Sequence, residues 1–204
     1  MHDASLPITV FLDAAAAKQP TPGGGSIAAL AGALAASMGE MVLNYSVNKK
    51  DLQSHRRELE AALGEFNRAR QLLLGLMVED QVAYTALTQA RKQGGSDGGF
   101  DVALLASIRV PQAIGTTAIA LLEISGRLVD KVNRHLLSDL AVCADLAMAT
   151  ARCASYNIRA NLPDVADAAE RARFEQSAEQ LVSRGIALIR DLSPRIWAKG
   201  ATAT

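Results

Sequence analysis

The seven residues Pro20-Thr21-Pro22-Gly23-Gly24-Gly25-Ser26, with the apolar run behind them to residue 42, restrict this chain more than any other stretch. Neither proline continues a preceding helix, and each biases the residue before it towards extended backbone. The glycines tolerate positive φ and let another element or a ligand come close to the backbone. Ser26 or Thr21 is placed to cap the helix that follows. That helix, residues 27–42, consists almost wholly of small and apolar side chains, and a helix apolar all round has to be enclosed by protein on most sides. Gly25, Ala28, Gly32, Ala36 and Gly39 form a smooth strip at helical spacing, on which a neighbouring helix can settle closely.

The rest of the chain is helical in the same style. Hydrophobic residues make up 50% of its 204 positions and aromatics only 4%, so the core is aliphatic and alanine-rich. Strong helix formers dominate, and short β-branched runs bounded by turns are absent. The expectation is one all-α domain over residues 1–204, a bundle of long and short helices. Helices are expected at about residues 6–18, with Ile8, Phe11 and Leu12 facing inward, and over residues 52–91. A glycine-rich surface loop at residues 93–99 leads to a short helix at 100–109. Pro111 then opens a helix to about residue 133. Ser138-Asp139 caps an alanine-rich helix to Asn157, and an amphipathic helix closes the chain from about residue 165 to 197.

Charge and segment patterns narrow the function. Lys plus Arg (21) equals Asp plus Glu (21), which argues against a nucleic-acid surface spread over the protein. The first residues lack the basic and apolar regions of a secretory signal, and the 27–39 run reads as too short for a membrane span. Cys143 and Cys153 fall on one helix about 15 Å apart, too far for a disulfide, which fits buried thiols in a reducing cytoplasm.

Polar groups set into the apolar helices are the candidates for chemistry. Ser37, Glu40, Asn44 and Asn48 share one face, which is either an exposed polar face or a line turned to a cleft. On the long helix, Arg70 and Asp80 fall on the apolar seam, and Asp80 follows directly on an all-round apolar stretch. Asp80 is therefore either a structural ion-pair partner or a carboxyl with a shifted pKa in a cleft. Lys49, Lys50, His55, Arg56 and Arg57 make either a solvated helix start or an anion-binding rim. The three histidines are unpaired and the cysteines lack CxxC spacing, so neither a zinc site nor a thiol nucleophile is expected. The glycine turn lacks the following Lys-Ser/Thr of a Walker loop and the preceding strand of a dinucleotide fold. What remains is Glu40, Asn44, Asp80, Asn157 and Arg159, a set suited to proton transfer around an organic ligand.

The glycine turn and its Ala/Gly-rich helix, with Met41-Val42 and Lys49-Lys50, resemble the cyclodeaminase domain of the formiminotransferase-cyclodeaminase family and its free-standing cyclohydrolase relatives. Glu79-Asp80-Gln81-Val82-Ala83-Tyr84 is similar to the family's acidic Glu-Asp-x-x-Ala-aromatic segment. Ser138-Asp139 and Asn157-Ile158-Arg159-Ala160-Asn161 match its later motifs, so the resemblance runs from about residue 20 to 163. The chain departs from the pattern at Asn48, at Asp51-Leu52 and at residues 132–135.

The resemblance implies an all-helical homodimer acting on a tetrahydrofolate substrate without a metal or cofactor. Its first reading is hydrolysis of 5,10-methenyltetrahydrofolate to 10-formyltetrahydrofolate. The alternatives are formiminotetrahydrofolate cyclodeamination and a non-catalytic folate-binding or dimerisation module. Asp80, with Glu40 second, is the implied proton-transfer acid. Pro22, Gly23, Gly24, Gly25 and Ser26 would shape the pocket, with Asn44, Tyr84 and Asp139 beside it. Asn157, Arg159 and Asn161 would orient the pterin or the attacking water, and Lys49 and Lys50 would hold the glutamate tail.

Overall fold

A computed structural model describes residues 5–93 and 99–201, and all of its regular elements are helical. We number the helices α1 (Ile8–Ala16), α2 (Gly24–Asn44), α3 (Arg56–Lys92), α4 (Gly99–Leu128), α5 (Leu137–Asn161) and α6 (Ala168–Ala201). Three short 3₁₀ turns, Lys50–His55, Arg134–Leu136 and Leu162–Asp164, link them. Residues 94–98 of the expected glycine-rich loop lie outside the described residues.

The small-residue strip explains why α2 occupies the middle. Gly25, Ala28, Gly32, Ala36 and Gly39 are all buried, and α2 packs against α3 on one side and α5 on the other. The Phe66 ring of α3 lies so close to Gly39 that any β-carbon there would overlap it. An added methyl would have to displace that fully buried ring, an overpacking that costs about 1–3 kcal/mol. On α5, Ala144, Ala147, Ala151 and Ala154 are likewise buried. Helices α4 and α3 close the bundle, and α6 runs along α4 and α5. A second apolar cluster, including Leu87, Ile108, Ile158, Phe174 and Leu181, fills the end of the bundle where α5 finishes.

Several boundaries differ from expectation, each for a physical reason. Helix α4 passes through Pro111 without a break. Proline lacks the N–H that would bond the Ser107 carbonyl four residues back. The Asn161 amide of α5 donates to that carbonyl instead, at 3.2 Å. Ser26 does not cap α2: Gly23 holds the cap position in extended backbone (φ −110°) with no side-chain bond. The glycine turn therefore serves close approach rather than positive φ. Asp139 lies in the first turn of α5 rather than at its cap, where its charge complements the helix dipole. On the nine-residue α1 only Phe11 is buried, while Ile8 and Leu12 are 54% and 52% exposed. A helix that short packs along a single line.

By length and composition alone α2 and α4 are long and apolar enough to span a membrane, contrary to the reading of residues 27–39 as too short. In this fold 56% and 44% of the two apolar stretches are buried inside the bundle. Cys143 and Cys153 are both free thiols, and burial pushes the Cys143 thiol up to about 11.

Candidate active site

Three helices and the glycine turn meet in one cleft. The turn supplies Thr21, Gly23, Gly24 and Gly25, α3 supplies Asp80 and Tyr84, α4 supplies Ser107 and Pro111, and α5 supplies Asn157 and Asn161. The cleft holds about 120 Å³.

Asp80 is placed there by the start of α2. The first turn of a helix leaves backbone N–H groups without intrahelical partners. Their positive end of the dipole favours an anion. Here the anion is the protein's own carboxylate. Ser26 donates its hydroxyl to Asp80 Oδ2 at 2.8 Å, and its backbone N–H also bonds the carboxylate. Asp80 lies against Gly25 so closely that any side chain at that position would overlap its carboxyl group. Glycine at position 25 is thus what lets the acid reach the helix start.

The balance of forces on Asp80 is set by burial. Loss of solvent pushes its carboxyl above the ordinary value of 3.8, against the two Ser26 hydrogen bonds, which pull it down. No ion pair to Asp80 occurs among the described residues. Of the two readings left open by the sequence, the geometry has the features of the cleft acid and not of the ion-pair partner.

Arg70, the other charged group on the α3 seam, turns to a different acid. It donates through Nε and Nη2 to the two Glu40 oxygens at 2.5 and 3.2 Å, and Asn67 adds a bond at 3.3 Å. Glu40 therefore sits in a structural ion pair on the α2–α3 seam and does not line the cleft.

The amides of α5 form the opposite wall. Asn161 Nδ2 donates to the Ser107 carbonyl freed by Pro111 and to the Asn157 carbonyl at 3.1 Å. Asn157 donates to the Cys153 carbonyl at 2.8 Å, which leaves its Oδ1 beside Gly24. Tyr84 stands at the rim, 45% exposed.

The remaining expected site residues lie elsewhere. Arg159 points to the other side of α5 and pairs with Glu175 of α6 at 2.7 Å. Asn44 ends α2 and Lys49 and Lys50 lie past it, so the 21 residues of that helix separate them from the cleft by about 30 Å. There Lys49 bonds Asn133 at 3.1 Å, and Lys50 and Asn44 are exposed. Asp139 starts α5 and so stands at the end of that helix opposite Asn157 and Asn161. Pro22 does not line the cleft but a separate cavity with Phe11 and Gln81 beside α1, and Ser26 is fully buried and touches Asp80 rather than open space. Sequence reasoning missed Ser107 and Pro111. The available signal was a proline inside an unbroken helical pattern, which marks an orphaned carbonyl four residues earlier.

Comparison with known proteins now adds to this geometry. The family described as formiminotransferase-cyclodeaminase matches residues 7–180. The chain belongs to that family. It is 29% identical over 177 residues to a methenyltetrahydrofolate cyclohydrolase of Methylorubrum extorquens, covering 81% of this chain and 85% of the relative. It is 25% identical over 186 residues to the formimidoyltransferase-cyclodeaminase of Gallus gallus, covering 87% of this chain. The chain spans only 34% of the length of that animal relative. Among solved structures, a formiminotetrahydrofolate cyclodeaminase from Thermotoga maritima superposes with a TM-score of 0.90 at 26% identity, covering 95% of this chain and 97% of the other. Within the family's matched region lie the glycine turn, Asp80 and the α5 amides, which are the parts that meet in the cleft.

Proposed function

We propose that this protein is a tetrahydrofolate one-carbon enzyme whose reaction is ring closure of 5-formiminotetrahydrofolate with release of ammonia. The observation that carries it is a half-buried carboxyl that makes no ion pair among the described residues, set in the cleft where the glycine turn meets the α5 amides. The near-complete superposition on a cyclodeaminase and the match to an animal cyclodeaminase favour this reaction over the hydrolytic first reading.

The chemistry needs one proton carried between two nitrogens. N10 attacks the formimino carbon, the N10–C bond forms, and a tetrahedral carbon bridges N5 and N10. The Asp80 carboxylate takes the proton from N10 and delivers it to the formimino nitrogen. The bond from carbon to that nitrogen breaks, ammonia leaves, and the carboxylate is as it began. A carboxyl raised by burial is matched to such a relay, because its acid and base forms lie closer in free energy near neutral pH. The cationic amidinium is drawn to the same carboxylate. Asn157 and Asn161 are placed to hold the ring amides. The cleft is smaller than the roughly 300–1,000 Å³ of a typical small-molecule pocket. It takes in the reacting rings, and the remainder of the folate lies outside it.

The second reading is hydrolysis of 5,10-methenyltetrahydrofolate, favoured by the Methylorubrum extorquens relative. Water then attacks the same carbon, and Asp80 takes a proton from it and delivers it to N5. The carbon–N5 bond breaks to leave the formyl group on N10, and one proton is released to solvent. Supplying each folate separately to the purified protein decides between them. Ammonia release with growth of the methenyl product is the expected result. Consumption of the methenyl compound alone selects hydrolysis, and turnover of neither substrate overturns both readings.

A homodimer is part of the proposal. The family resemblance supports it, as do exposed apolar side chains on α2, α3 and α4, among them Leu34, Leu72, Val82 and Val102. Sedimentation at micromolar concentration tests it, and a monomer contradicts it.

A further inference from the structure

The Ser26 hydroxyl has two acceptors. Its oxygen lies 2.8 Å from Asp80 Oδ2 and 3.2 Å from the Met77 carbonyl, one turn earlier on α3. A serine carries one hydroxyl proton and two lone pairs, so it donates to one of these at a time while still accepting. Ser26 is fully buried, and no solvent is available to satisfy whichever group it leaves. The other groups lining the cleft around Asp80 are Thr21, Ser107, Asn157, Asn161, backbone atoms and one further titratable side chain, the Tyr84 phenol. No charged group on α2, α4 or α5 faces it there.

We propose that Ser26 is a positioning residue whose hydroxyl changes acceptor as Asp80 gains and loses its proton. With the carboxylate ionised, the hydroxyl donates to Oδ2. With the carboxyl protonated, the Asp80 O–H donates to Ser26 Oγ, and the serine proton turns to the Met77 carbonyl. Each protonation state is then fully hydrogen-bonded without moving a heavy atom. That removes the reorganisation a buried acid otherwise requires, and it fixes the rotamer in which Asp80 meets the cleft. Ser26 acts through Asp80 and not on the substrate.

This inference rests on Asp80 being the proton relay, but its decisive readout does not require turnover. The Asp80 carboxyl carbon is titrated by ¹³C NMR in the wild type, in Ser26→Ala and in Ser26→Thr. Alanine removes a single atom from a buried helical position, so the variant is expected to fold. In Ser26→Ala the carboxyl titration should move upward, because the ionised form loses its donor. The acid limb of the pH–kcat profile should move with it, and kcat at the optimum should fall about tenfold, the scale of one hydrogen bond to a charged group. Ser26→Thr, which keeps the hydroxyl, should return the titration to the wild-type position. An unchanged carboxyl titration in Ser26→Ala overturns the proposal, whether or not stability falls. A raised KM with unchanged titration overturns it too, by making Ser26 a substrate contact. If Asp80→Asn retains turnover while Ser26→Ala still shifts the titration, the relay reading fails and the hydroxyl coupling stands as a property of the folded chain.

Discussion

Glu40 and Asp80 are two acids on the same α2–α3 seam, and they are treated oppositely. Glu40 faces Arg70 in a two-point contact with Asn67 alongside, so its charge is answered in place. Asp80 lies ten residues, or about 15 Å, further along α3 than Arg70. Among the described residues it is met by neutral donors, the Ser26 hydroxyl and N–H, at the start of α2. Glu40 has a charged partner across the seam, whereas at Asp80 loss of solvent raises the carboxyl against neutral donors. The same helix pair thus builds a structural clamp towards the C-terminal end of α2 and a titratable group at its start.

The comparison breaks most completely at Gly25. In Gly25→Ala the new methyl group overlaps the Asp80 carboxyl, so the acid must leave the helix start. Turnover should fall about 10²–10⁴-fold, the range general acid–base assistance supplies. Stability should fall by about 1–3 kcal/mol from overpacking. Steady-state rates with denaturant unfolding on one preparation check both.

The clamp should respond in the other way. Arg70→Met leaves the Glu40 carboxylate, 14% exposed, without its cation. Unfolding should become easier by about 1.5–3 kcal/mol, the scale of lost charged hydrogen bonds. Activity per folded molecule should be unchanged. A variant that is stable but inactive would tie Arg70 to the chemistry and end the contrast.

A smaller effect follows from linkage. Burial raises the Asp80 carboxyl above its unfolded value of 3.8, so the folded state binds the proton more tightly than the unfolded chain. Its contribution to stability is complete below that unfolded value and is lost as pH rises through the folded value. Melting curves from pH 3.5 upward should show the wild type losing this contribution relative to Asp80→Asn, for which the slope is absent. Parallel curves would mean that Asp80 titrates as an exposed carboxyl does.

The smallest effect is expected at the far end of α2. The double change Lys49→Ala with Lys50→Ala removes charges about 30 Å from the cleft, and KM and kcat should stay within about twofold of wild type. A large rise in KM would show that the tail of a bound folate reaches these lysines after all.

Much of this architecture is legible in the sequence because it rests on local rules. The Ala/Gly strip of α2 announces a helix that others can approach closely, and every member of the strip is buried. The placement of Asp80 after an all-round apolar stretch identifies it as an acid in a confined setting. What periodicity does not give is which partner a side chain meets across the bundle. Arg70 and Asp80 share a face of α3, yet Arg70 belongs to Glu40 because the two helices run side by side at that level. Arg159 is two residues from both Asn157 and Asn161, and that spacing carries it round the helix to Glu175. Ser26 looks like a cap by position, but its hydroxyl is drawn inward to a half-buried carboxyl. Ser107 becomes notable only once Pro111 is seen inside a continuous helix.

In the proposed reaction Asp80 carries the proton. Single-turnover rates of Asp80→Asn and wild type on 5-formiminotetrahydrofolate test it directly, with folate binding and thermal melting recorded on the same preparations. The variant should fold and bind folate, with its rate reduced about 10²–10⁴-fold. An equally well-folded Asp80→Asn protein that turns over at the wild-type rate would contradict that role.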